Sequence, residues 1–138
     1  MDMKRIMGVD YGDARTGIAV SDLLCTLVGT TTVIHSRNQE KTIAQICAMV
    51  KESGVGEIVV GLPKNMDGSE GPRAEKSREF AALLEGETGL KPVLWDERRS
   101  SVEAHAILHA NGRKMKDHRK HVDAVAATLM LEGYLGTL

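Results

Sequence analysis

Three carboxylates stand where this chain passes from apolar to polar sequence, and together they could hold a hard cation. Asp10 ends the run R-I-M-G-V-D (5–10) and is followed by the turn-rich link Tyr11-Gly12-Asp13-Ala14-Arg15. Glu97 follows a second apolar run, K-P-V-L-W (91–95), within D-E-R-R (96–99). Asp123 lies inside V-D-A-V-A-A-T-L-M-L (122–131), a helical run so apolar that it has little solvent face to offer a charge. Taken alone, Asp10 reads as a residue that opens a turn, which Asp does often. The two later carboxylates shift that balance. An Asp, a Glu and an Asp converging from two strand ends and a helix make an oxygen-only ligand set. Mg²⁺ or Mn²⁺ suits such a set, and the chain has no thiolate or imidazole cluster of the kind zinc prefers. Two such ions about 3.5–4 Å apart can activate a water and stabilise the leaving oxygen of a phosphodiester. Arg98, directly after Glu97, could hold a phosphate in a bidentate fork, whereas Arg99 reads as a solvated arginine.

Composition narrows the partners. At 138 residues the chain is expected to be one domain, 1–138, with a single core. A formal net charge of −1 means that any nucleic-acid surface must be local. The basic concentration is Lys64, in a long loop, with Arg113, Lys114, Lys116, Arg119 and Lys120 near the last helix. Aromatics are confined to Tyr11, Phe80, Trp95 and Tyr134, which argues against a base-stacking platform. Cys25 and Cys47 match no metal spacing, and no apolar run is long enough to span a bilayer. A soluble, cytoplasmic protein with reduced thiols and no membrane partner is expected.

The elements that must position the carboxylates follow from periodicity. Ile6–Val9, Thr16–Ser21 and the β-branched run Leu27–Ile34 predict three strands, joined by links too short for crossover helices and therefore antiparallel. Asn38 caps a predicted helix with Ile43, Ile46, Cys47 and Val50 on one face, and Gly54 terminates it. Glu57–Gly61 predicts a buried parallel strand. The loop Leu62–Glu70 is longer than a connection requires. Pro72 opens a second helix, with Ala74, Ser77, Ala81 and Leu84 facing inward. Lys91–Trp95 predicts a fifth strand. Ser100 and Glu103 have capping-box spacing for a third helix ended by Asn111-Gly112. A final helix over about 119–135 is expected to bury Val122, Val125, Ala126 and Leu129. Right-handed crossovers then give an α/β fold: a mixed five-stranded sheet, three antiparallel strands followed by parallel ones, with helices on both faces. Asp10 and Glu97 fall at its carboxyl edge, where open α/β sheets bind ligands.

Four segments in order, G-V-D-Y-G-D-A-R-T-G-I-A-V-S-D, V-V-G-L-P-K-N-M-D-G-S, W-D-E-R-R-S-S and H-V-D-A-V-A-A, resemble the YqgF/RuvX family of pre-16S ribosomal RNA nucleases. The family has also been named for the Holliday junction resolvases. The resemblance covers nearly the whole chain and implies a ribonuclease H-like fold. It also implies a metal-dependent endonuclease acting on structured RNA, with branched DNA as the alternative substrate. By position, Asp10, Glu97 and Asp123 match the family's catalytic and metal-binding triad. Arg15 and Arg98 match its motif arginines, and Gly61-Leu62-Pro63 with Asn65–Gly68 match its loop. Lys64, Asn65, Lys114, Lys116 and Lys120 complete the expected nucleic-acid contacts, with the protein acting as a monomer or weak dimer. Two rival readings remain. Asp10-x-Gly12 also resembles the phosphate-binding segment of actin-like ATPases and sugar kinases, which close two related domains around a nucleotide where this chain has one. The other rival is a ribosome-associated binding module whose carboxylates do not catalyse.

Overall fold

Five strands and three helices make up the described part of the chain, residues 4–98 and 124–138 of a computed structural model. In chain order they are β1 (Arg5–Asp10), β2 (Arg15–Ser21), β3 (Val28–His35), α1 (Gln39–Ser53), β4 (Val55–Leu62), α2 (Pro72–Thr88), β5 (Val93–Asp96) and α3 (Val125–Leu135). The strands form one sheet in the order β3-β2-β1-β4-β5. Pairing is antiparallel for β1–β2 and β2–β3, and parallel for β1–β4 and β4–β5. The sheet is thus the mixed one expected from the link lengths. β4 starts at Val55, two residues before the expected Glu57. β5 excludes Lys91 and Pro92, and a proline has no N–H to give the ladder.

Alternation along the strands sorts side chains to two cores. Met7, Val9, Ile18, Val20, Ile58 and Val60 pack with Ile43 and Ile46 of α1 and Phe80, Ala81 and Leu84 of α2. Ile6, Ala19, Val59 and Trp95 face the other way, against Ala127, Met130, Leu131 and Leu135 of α3. β1 and β4 are therefore covered on both faces, which explains their nearly unbroken apolar sequences. β3 lies at the sheet edge and carries three threonines in succession. The helix ends obey local chemistry. The Asn38 side chain accepts from the Lys41 backbone N–H at 3.1 Å, and Gly54 takes a left-handed conformation with φ of 66°. Pro72 begins α2, and Gly89 ends it with φ of 75°.

One expectation needs correction. Ala126 is exposed and Val125 and Leu129 are half-buried, while α3 buries Ala127, Met130, Leu131 and Leu135. The phase of the stripe was wrong because a helix apolar almost all round carries little periodic contrast to fix it. Val122 and the helix expected between Ser100 and Asn111 lie outside the described residues. α3 runs down the sheet from its carboxyl edge. The Ala127 carbonyl lies over Gly8 of β1, and farther along the Tyr134 hydroxyl donates to the Glu57 carboxylate near the start of β4. Burial, then the bond to Glu57 and its charge, push the Tyr134 hydroxyl up to about 12, so it remains a donor. Among the described residues no helix is long and apolar enough to cross a membrane.

Gly8 sets how closely α3 can approach. A Cβ there would sit 3.2 Å from Leu131 Cβ and 3.3 Å from the Ala127 carbonyl oxygen, so the helix backbone would have to move. Gly8→Ala should cost about 1–3 kcal/mol, the usual penalty for overpacking. Urea unfolding should show a lower midpoint at unchanged slope. An unchanged midpoint would mean that α3 is not seated on Gly8.

Candidate active site

The β1–β2 ladder carries Asp10 to the carboxyl edge of the sheet, where its partner is Gly17. Gly17 has no side chain to cover the carboxylate. Glu97 comes to the same edge one residue after the last β4–β5 pair, Leu62↔Asp96. Neighbouring strands lie about 4.8 Å apart, so with β4 between them the backbones of β1 and β5 are about twice that distance apart. A glutamate can bridge this gap only by laying its side chain across β4. It crosses at Gly61, where a Cβ would overlap the Glu97 carboxylate. Beyond Gly61 the Glu97 carboxyl meets Asp10 and hydrogen-bonds to it.

Two carboxyls can share a hydrogen bond only if one keeps a proton, and here Glu97 is held up. Burial contributes most, followed by the hydrogen bond to Asp10 and the charge of Asp10; the Arg73 guanidinium opposes them, and the group is pushed to about 8. A divalent cation would replace that proton, and paired carboxylates are the hard oxygen donors such an ion takes. The donor set therefore fits a divalent ion, with Asp10 and Glu97 offering two carboxylates to it. Among the described residues no group of three or more His, Cys, Asp or Glu is placed to hold a metal. Asp123, the expected third ligand, lies outside the described residues, one position before the buried Ala124 that precedes α3.

The cleft holding the pair is closed on one side by Tyr11, Pro63 and the first turns of α2. Tyr11 stacks on Phe80 with centroids 4.1 Å apart and planes 11° from parallel, which ties the exit of β1 to α2. Arg73 and Lys76 of α2 line the same cleft, and Lys76 Nζ lies 3.5 Å from Asp13 Oδ1. Neither cation was singled out by the sequence. The available signal was positional: they follow Pro72, at the start of the helix that leaves the long loop.

That loop is tightly built. Lys64 bridges to Glu70 in a short antiparallel pair, and Arg78 grips the Glu70 carboxylate with Nε and Nη2. The Asn65 N–H donates to the Ser69 carbonyl, and its side-chain amide donates to Ser69 Oγ at 3.0 Å. Asp67 Oδ1 accepts from the Ser69 N–H and hydroxyl, bonds that hold its carboxyl below the usual range. Arg98 turns Nε and Nη2 of its guanidinium to Asp96, with Nη2 to Oδ2 at 2.7 Å and Nε to Oδ1 at 3.1 Å. Its Nη1 reaches the Met66 carbonyl at 3.4 Å. The structure thus places Arg98 as a clasp between strand end and loop. Arg15 is exposed at the start of β2, at the same sheet edge as Asp10, with Lys64 and Asn65 in the loop. Lys114, Lys116 and Lys120 lie outside the described residues.

The chain matches known proteins over its length. The profile of a family described as RuvX, Holliday junction resolvase, matches residues 4–137. A protein of Halothermothrix orenii named "Putative pre-16S rRNA nuclease" is 44% identical over 131 residues, which is 95% of this chain and 94% of that one. One of the same name from Clostridioides difficile is 42% identical over 132 residues, covering 95% and 93%. Among solved structures, Thermus thermophilus RuvC in complex with a Holliday junction substrate superposes with a TM-score of 0.62 at 12% identity, covering 97% of each chain. The large terminase nuclease of phage G20c with bound zinc gives 0.58 at 16% identity, over 95% of this chain and 80% of that one. At such identities the likeness speaks for the fold, which is ribonuclease H-like.

Two expectations follow from the carboxyl pair. Glu97 binds its proton more tightly in the folded chain than in the unfolded one, where a glutamate titrates near about 4.3. Its stabilising contribution is full below that value and is lost as pH rises through about 8. Urea curves in chelator should therefore show stability declining from pH 5 to 8.5, and Glu97→Gln should flatten the decline. Parallel pH profiles for the two proteins would show that the pair carries no shared proton. Gly61→Ala should displace the Glu97 carboxylate at a small cost in stability, because the atom it meets is the end of a flexible side chain. In that variant the pH dependence should weaken toward that of Glu97→Gln; an unchanged profile would place Glu97 elsewhere.

Proposed function

Because the chain belongs to the RuvX family, we propose that it is a divalent-metal-dependent endonuclease acting on structured nucleic acid, with the precursor of 16S ribosomal RNA as its substrate. The observation that carries this reading is the half-buried Asp10–Glu97 pair at the carboxyl edge of the sheet. The curated relatives supply the substrate by their shared name.

In this reading Asp10, Glu97 and Asp123 hold the ion. The direction of α3 supports the third assignment. Its Ala127 end lies over Gly8 and its Tyr134 end reaches Glu57, so the helix begins at the edge where Asp10 ends β1. Bound there, Mg²⁺ or Mn²⁺ would lower the pKa of a water and polarise the phosphate. Arg73 and Lys76 offer the phosphate oxygens positive charge from the α2 side of the cleft, in a site that burial makes less screening than water. Gly61 and the Arg98 clasp keep Glu97 in place. Arg15, Lys64 and Asn65 border the same edge, and Lys114, Lys116 and Lys120 would extend a backbone track beyond it.

The test is cleavage of an RNA spanning the 16S precursor border, with a four-way DNA junction alongside as the substrate that the family description suggests. Asp10→Asn and Asp123→Asn should abolish cutting without loss of folded structure, since shape is kept and ligand charge is lost. Arg73→Ala should slow it by about 10²-fold, as loss of one transition-state donor commonly does. Cleavage that survives Asp10→Asn, or excess chelator, would rule out the assignment.

A further inference from the structure

Met66 is 93% exposed, more than any other large apolar side chain among those described. A single exposed methionine is unremarkable on a loose loop. This one is carried on a loop that is anything but loose. Its neighbours Asn65, Asp67 and Ser69 are cross-bonded, and the base of the loop is fixed by the Lys64–Glu70 bridge and the Arg78–Glu70 ion pair. Gly68 closes the turn with φ of 89° and donates its N–H to the Asn65 carbonyl at 2.9 Å. The Met66 carbonyl itself is clasped by Arg98, the residue next to Glu97. The loop is therefore ordered up to a tip whose apolar side chain touches almost nothing. It also leaves the cleft directly, since Pro63 lines the wall that faces Asp10 and Glu97.

We propose that Met66 is a wedge that enters the base stack of a bound RNA where paired nucleotides give way to unpaired ones. The proposal rests on the nuclease reading for its ligand. The chemistry favours a base over an apolar protein surface, because a lone thioether offers no broad apolar patch, and the cleft from which the loop leaves is lined by Arg73 and Lys76, cations suited to a phosphate backbone. Apolar side chains, methionine among them, wedge between base steps of DNA in this way, at a cost of a few kcal/mol for each step unstacked. That cost is lowest where stacking is already interrupted, so the wedge selects a helix border. A loop fixed in advance loses little entropy on insertion. Fixed beside the carboxylates, it also decides which phosphate reaches them.

An RNA hairpin with an unpaired 5′ tail and 2-aminopurine at the border nucleotide tests this, bound to the full chain in calcium in place of magnesium. Wild type and Met66→Leu should raise the 2-aminopurine emission several-fold. Met66→Ala should abolish the rise while affinity changes little, and in magnesium its cuts should spread over neighbouring phosphates. The side chain is exposed, so folding is not at stake. If wild type gives no rise, or Met66→Ala gives the same rise, the wedge is overturned. A Met66-dependent rise without any cutting in magnesium would keep the wedge and remove the nuclease reading; cutting without the rise would do the reverse.

Discussion

Two carboxyl groups held in hydrogen-bonding contact across a strand impose the central constraint on this molecule. Asp10 and Glu97 come from strands that are not neighbours, and like charges do not approach without something to oblige them. Here the obligation is geometric. The order β1-β4-β5 sets the gap, a glycine in β4 leaves a channel across it, and burial denies Glu97 the water that would draw it away. The tight Asp96–Arg98 clasp next to Glu97 belongs to the same arrangement, because it sets a guanidinium against a third carboxylate whose charge also pushes Glu97 up.

The two glycines with the closest neighbours on the α3 face of the sheet do different work. Gly8 admits a helix backbone and Gly61 admits a side chain. One governs how α3 lies against β1, and with it where the segment before α3 begins. The other governs where Glu97 ends. Stability and site geometry are thereby assigned to separate positions on adjacent strands, Gly61 lying two residues beyond Val59, the partner of Gly8.

Much of this was legible in the sequence, and the exceptions have physical causes. Asp10 and Glu97 could be placed at one edge because short links force antiparallel pairing and apolar runs mark buried parallel strands. The role of Gly61 could not be read, since a glycine in an apolar run fits a bulge or a close contact equally well. Arg73 and Lys76 were hidden among ordinary helix-surface charges. Arg98 was legible as a cation beside the site, but its binding of Asp96 two residues back was not. A guanidinium at a strand exit can turn toward a carboxylate or a phosphate, and only the fold decides. The burial phase of α3 escaped because V-A-A-T-L-M-L has apolar residues on every side.

The latch at the far end of α3 has an optical consequence. Trp95, the single tryptophan, is 6% exposed and meets the Tyr134 ring edge-on at 5.8 Å, while Tyr134 reaches on to Glu57. Its indole sits two residues before Glu97 and opposite Gly61 in the β4–β5 ladder. The tryptophan emission of this chain therefore comes from one buried point, between the helix that covers the sheet and the strand that delivers the glutamate. Any event that lifts α3 or shifts the end of β5 changes the polarity around that indole, so the protein carries a native fluorophore that reports on the edge where its two carboxyls meet.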